Sequence, residues 1–173
     1  MDVYAIVLRL IHIVCGVFWA GTAFFNVLVL EPAVNASGQE GQKTMGAVMR
    51  VGLTMLLGIT SGLTMLSGLM LYGKDSSGFQ MAWVTSPQGL VLALGAVTGI
   101  VGGIIGGAMV GRAGKQLTDL GTELAQSRGK PTDAQTGQMA ALKNQIHLGG
   151  QVQAILLLVA VLCMAIGPEL MAP

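Results

Sequence analysis

Charge is scarce in this 173-residue chain: Asp, Glu, Lys and Arg together make up 10% of it, against about 25% in soluble domains. The net charge is +1, so no field exists to steer an anionic polymer, and a nucleic-acid binder is excluded. There are only two cysteines, Cys15 and Cys163. Both fall inside apolar stretches, which is neither a zinc spacing nor a disulfide framework. No basic region follows Met1 and Asp2, and no small-x-small site follows the first apolar run. Residues 1–30 therefore read as a retained span and not a signal peptide. Aromatic residues are also few, at 5%.

What the chain does have is hydrophobic side chains, 53% of the total, gathered into long blocks. A helix that crosses about 30 Å of hydrocarbon needs roughly 20 apolar residues. Four blocks meet that length: 10–30, 51–72, 89–110 and 148–167. In lipid each must be a helix, since an open sheet would leave backbone groups unpaired. The fold class expected is all-α, an integral membrane four-helix transmembrane bundle forming a single domain over 1–173. Its main partner is the lipid bilayer.

Cations set the orientation. Lys43, Arg50, Arg112, Lys115, Arg128, Lys130 and Lys143 lie beyond the ends of spans one and three, and only Arg9 and Lys74 lie at the other side. The first side is expected to be cytoplasmic, with the N- and C-termini outward, that is, periplasmic. Tyr4, Tyr72 and Trp83 sit near the outward side, where an aromatic belt belongs.

Spans three and four continue past the membrane. Leu117, Leu120 and Leu124 keep helical spacing among polar residues, as do Met139, Leu142 and Ile146. Arg128 to Asp133 breaks the pattern at Gly129 and Pro131. Thr132 and Gln135 have the spacing of a capping box that starts the returning helix. A cytoplasmic hairpin over about 112–146 is expected, solvated or offered to a partner.

Small residues form a ridge on span three: Gly95, Gly99, Gly103, Gly107 and Gly111 recur every four positions, with Gly102 and Gly106 alongside. Such ridges let helix backbones approach closely. The ridge has two kinds of target, a neighbouring helix of the bundle or a partner, meaning other membrane subunits or a second copy in a homo-oligomer.

The chemistry is concentrated in span one. Ionisable residues inside a membrane are costly and mark function. Arg9, His12 and Cys15 follow one another at three-residue steps, with Trp19 deeper on the same face. This set suits b-type haem: a neutral imidazole ligates the iron and an arginine nearer water pairs with a propionate. The other histidine, His147, lies about 18 Å or more away in depth at the helical rise. One iron cannot take both. A sixth ligand would come from Met65, Met70 or Met164, since methionine is an accepted partner of histidine. His12, Cys15, Cys163, Met65 and Met164 also permit copper(I) as an alternative. No carboxylate lies within a span, Glu31 before Pro32 reads as a helix end, and Asn26, Gln151 and Gln153 read as interhelical hydrogen-bonding groups. The readings left open are a haem-binding redox component, an accessory membrane subunit without cofactor, and copper handling.

Residues 9–21, Arg-Leu-Ile-His-Ile-Val-Cys-Gly-Val-Phe-Trp-Ala-Gly, resemble the first helix of several related bacterial membrane families. These are the copper-resistance D (CopD) type, the HemJ-type protoporphyrinogen oxidases, the membrane domain of PuuD-type urate oxidases, and an uncharacterised group of small membrane proteins. In all of them a first-helix His precedes a Trp-x-Gly, here His12, Trp19 and Gly21. The Gly-rich third span, Gly129-Lys130-Pro131 and Met164-Ala165 most resemble the uncharacterised group. The resemblance implies a bacterial inner membrane location, and the HemJ-type likeness implies His12 as a haem ligand.

Overall fold

A computed structural model describes residues 2–127 and 131–170, except the side chains of Gln39 and Arg50. Every element among the described residues is helical. Four helices are long and apolar enough to cross a membrane. We number the helices α1 (Val3–Ala36), α2 (Gly38–Arg50), α3 (Leu53–Asp75), α4 (Met81–Val84), α5 (Pro87–Ser127) and α6 (Asp133–Ile166).

The chain starts and stops these helices by local chemistry. Asp2 caps α1, its carboxylate accepting the Ala5 N–H at 3.1 Å. Ser86 caps α5 through the Gly89 N–H at 3.2 Å, with Pro87 in the first turn, where a missing N–H costs nothing. The capping box of α6 forms: Gln135 N–H donates to Thr132 Oγ1 at 3.3 Å, and Thr132 N–H to Gln135 Oε1 at 3.0 Å. Arg128, Gly129 and Lys130, assigned above to the turn and to the cationic side, lie outside the described residues.

Glu31 is not a helix end. α1 runs on to Ala36 through one π turn, Asn26–Leu30. Pro32 has no N–H to give to the turn before it. The ladder absorbs the gap by slipping to a wider spacing, with the Glu31 N–H donating to the Asn26 carbonyl five residues back. A second π turn, Gly106–Gly111, falls in the glycine-rich part of α5.

α2 was not foreseen from the sequence. Gly38 and Gly52 carry φ of +57° and +96°, a left-handed backbone that glycine adopts without steric cost. These two turns let a 13-residue helix sit between the ends of α1 and α3.

α1 packs along α3, and α5 along α6. The two pairs then meet through α1 against α6 and α3 against α5. The core is thin: Leu8, Trp19, Ala20, Leu157, Ala160 and Cys163 are buried in the long helices. Ala113, Leu120 and Leu142 are buried where the ends of α5 and α6 meet. Large aliphatic side chains face outward instead, Leu28 at 73% exposure and Met55 at 72% among them.

α3 shows the inversion best. Its buried residues are Thr60, Thr64 and Ser67. Each hydroxyl donates to a carbonyl one turn back, at 2.9, 2.7 and 2.5 Å, so small polar groups line the helix contact without an unpaired donor.

Candidate functional site

His12 lies on the face of α1 that meets α3. Its Nδ1 is 2.8 Å from the Thr64 carbonyl oxygen and 3.5 Å from Ser67 Oγ. A carbonyl only accepts, so Nδ1 carries the proton and the lone pair is on Nε2. Room for the ring comes from Gly68: a Cβ there would fall 2.7 Å from His12 Cε1 and 3.0 Å from Nδ1. One turn along, Gly16 sits opposite Thr64 Cγ2, 3.4 Å from where its own Cβ would be. The glycines bring α1 and α3 close enough for the imidazole to reach a main-chain acceptor. Sequence reasoning found His12 but not Thr64 or Gly68. The signal available was the 60, 64, 67, 68 spacing of small residues on span two.

Arg9 lies one turn nearer the N-terminal end of α1 and is exposed. Its guanidinium is 4.0 Å from Asp75, a long and open pair. Beside it, Lys74 reaches Asp2 at 2.8 Å. That ammonium and the Ala5 N–H hold the Asp2 carboxyl below its ordinary value of 3.8.

The methionines do not converge on His12. Met65 lays its methyl over Gly103, next to the Trp19 ring edge. The Met164 methyl sits 3.2 Å from the Cβ position of Gly95. Those two glycines are about 12 Å apart along α5, so the two methyls serve different levels of the bundle. Met70 is 42% exposed. Cys163 also packs on Gly95, whereas Cys15 belongs to α1. Among the described residues no group of three or more His, Cys, Asp or Glu is placed to hold a metal ion.

His147 meets Glu31 instead. Its Nδ1 is 2.6 Å from Glu31 Oε1, joining α1 to α6. Glu31 lies about 28 Å further along α1 than His12. One iron could not bridge the two imidazoles. Asn26, Gln151 and Gln153 make no side-chain hydrogen bond among the described residues, contrary to expectation; the Gln153 amide lies over Gly106.

The ridge glycines are used unequally. Gly95 and Gly102 face α6, Gly103 faces α1 and α3, and Gly99 touches only Ala160 at 3.8 Å. Nothing lies within 4 Å of a Cβ at Gly107.

Set beside known protein families, characterised proteins and solved structures, the chain matches none.

Proposed function

We propose that this chain is a small integral membrane redox component that binds b-type haem through Nε2 of His12. The observation that carries this reading is the commitment of Nδ1–H to the Thr64 carbonyl at 2.8 Å. That bond sets the tautomer and orients the ring, as partners of metal-binding histidines do. His12 is the residue that would hold the iron, since Met65, Met70 and Met164 are dispersed.

Bound there, a haem supplies reversible one-electron transfer at its iron. The chain's own residues do the rest. Thr64 aims the imidazole and Gly68 leaves its space, and Arg9, exposed and only loosely paired with Asp75, would hold a propionate.

In this reading the protein lies in a bacterial inner membrane with both termini outward, which the bias of Lys and Arg along the sequence supports. The ends of α5 and α6 form the cytoplasmic hairpin. Association with other membrane subunits or a second copy uses the ridge at Gly107, the position its own bundle leaves open. The likeness of residues 9–21 to the first helix of the haem-binding HemJ-type proteins supports the same reading.

A second reading has its own observation. The imidazole is hydrogen-bonded to the Thr64 carbonyl and packed on Gly68, a helix contact of the kind that would hold an accessory subunit together. Copper has less behind it, since the sulfur side chains are split between two seams.

A pyridine haemochrome assay separates the readings. Protein purified in mild detergent from haem-replete cells should carry haem, and His12→Ala should lose it while keeping its helical circular dichroism. Haem-free wild-type protein refutes the leading reading. A spectrum unchanged in His12→Ala refutes the ligand assignment.

A further inference from the structure

Between the first two membrane-crossing helices lies α2, and its place in the chain is unusually constrained. Ser37 alone separates it from α1, and Val51 and Gly52 alone separate it from α3. Both of its ends are therefore fixed at the ends of long apolar helices. Gly41 tucks it against the last turn of α1: a Cβ there would lie 2.8 Å from Val34 Cα and 3.0 Å from Ser37 Cβ.

α2 has two faces. Gly41, Thr44, Met45, Val48 and Met49 fall on one at helical spacing, while Gln42 and Lys43 fall on the other and are exposed. Lys43 is paired with Glu40 at 2.7 Å. Where the apolar face runs out, it opens a groove of about 570 Å³, lined by Val48, Val51, Gly52, Leu53, Met55, Leu56 and Ile59. Val51 is 89% exposed, which in water would leave a bare valine beside a bare Met55.

The groove does not stop at α2. Its floor of Met55, Leu56 and Ile59 continues up α3 as Leu63, Leu66 and Leu69, all exposed. That stripe is one side of a helix apolar enough to cross a membrane. The groove is thus the end of a continuous apolar surface, turned sideways under α2.

We infer that α2 lies in the bilayer interface, with acyl chains of the adjacent leaflet filling the groove and the Gln42–Lys43 face toward water. This rests on reading the long helices as membrane spans. An amphipathic helix of low net hydrophobicity binds such an interface by its buried apolar area, and a groove lined by Val48, Val51, Gly52, Leu53, Met55, Leu56 and Ile59, with no polar side chain among them, takes an acyl chain and not a headgroup. The segment joining the first two spans is then an anchor and not a solvated loop.

The test uses the unaltered full chain in phosphatidylcholine vesicles that carry an acyl-chain diazirine, with adducts mapped by peptide mass spectrometry. Val48 and Val51 should carry adduct comparable to Leu63, and Gln42 and Lys43 roughly a tenth of it. Adduct at Leu63 but not at Val48 or Val51 overturns the inference and leaves the membrane spans standing. Loss at Leu63 as well means that the spans themselves fail. In a companion measurement, Val51→Cys should resist a water-soluble maleimide that modifies Lys43→Cys. Ready modification of Val51→Cys overturns the inference. So does a Val51→Cys that neither reagent reaches and that cross-links to a second copy.

Discussion

A single methyl group added at Gly68 would land 2.7 Å from Cε1 of His12. The ring cannot retreat without losing the Thr64 carbonyl, so the conflict falls on the helix contact. Gly68→Ala should cost roughly 1–3 kcal/mol, the usual range for overpacking, read as a lower midpoint in thermal unfolding. Under the haem reading it should also reduce bound haem, read by the haemochrome assay. The control is Gly62→Ala, which meets nothing within 4 Å and should change neither. A second residue-scale expectation concerns acid. The Asp2 carboxyl is held low by Lys74 and the Ala5 N–H. Its contribution is present above 3.8, the ordinary value, and is lost as pH falls through the lowered folded-state value. The protection factors of the first-turn amides of α1, taken against the intrinsic exchange rate at each pH, should fall on acidification in the wild type. Asp2→Asn should flatten that dependence. His12 was legible because an imidazole inside an apolar run is conspicuous. Its acceptor was not, because every residue has a carbonyl and only packing selects one.

At the scale of the helix, the ridge on α5 separates internal from external contacts. Gly103→Leu must displace the Met65 methyl and the Trp19 ring edge, and should lower stability by roughly 1–3 kcal/mol. Gly107→Leu meets open space and should leave the fold intact. If Gly107→Leu instead abolishes association in mild detergent, measured by light scattering, that position contacts a partner. The ridge was legible as a pattern of spacing. Its division among three neighbouring helices was not, because a fourfold repeat states how closely helices can approach but not which helix approaches. Pro32 taught a related point. Read locally it stops a helix; in the fold, one π turn absorbs the missing N–H and carries Glu31 on to His147.

At the scale of the whole molecule, the outward aliphatic surface and the hydroxyl-lined contact of α3 point to a solvent that is apolar. Orientation in that solvent is testable by cysteine labelling in intact cells. Asp2→Cys should react with an impermeant maleimide added outside, and Ser127→Cys only after permeabilisation. The reverse pattern would place both termini in the cytosol and move His12 to the inner leaflet.

The amino-acid order alone determined four long apolar helices and the single histidine of the first, because hydropathy and helical rise are properties of consecutive residues. The tertiary structure decided the rest. It chose Thr64 for His12, sent Glu31 to His147, scattered the methionines and folded α2 across the gap. Each of those pairings joins residues distant in the chain, through contacts that depend on helix rotation and backbone turns, and no local pattern of side chains encodes them.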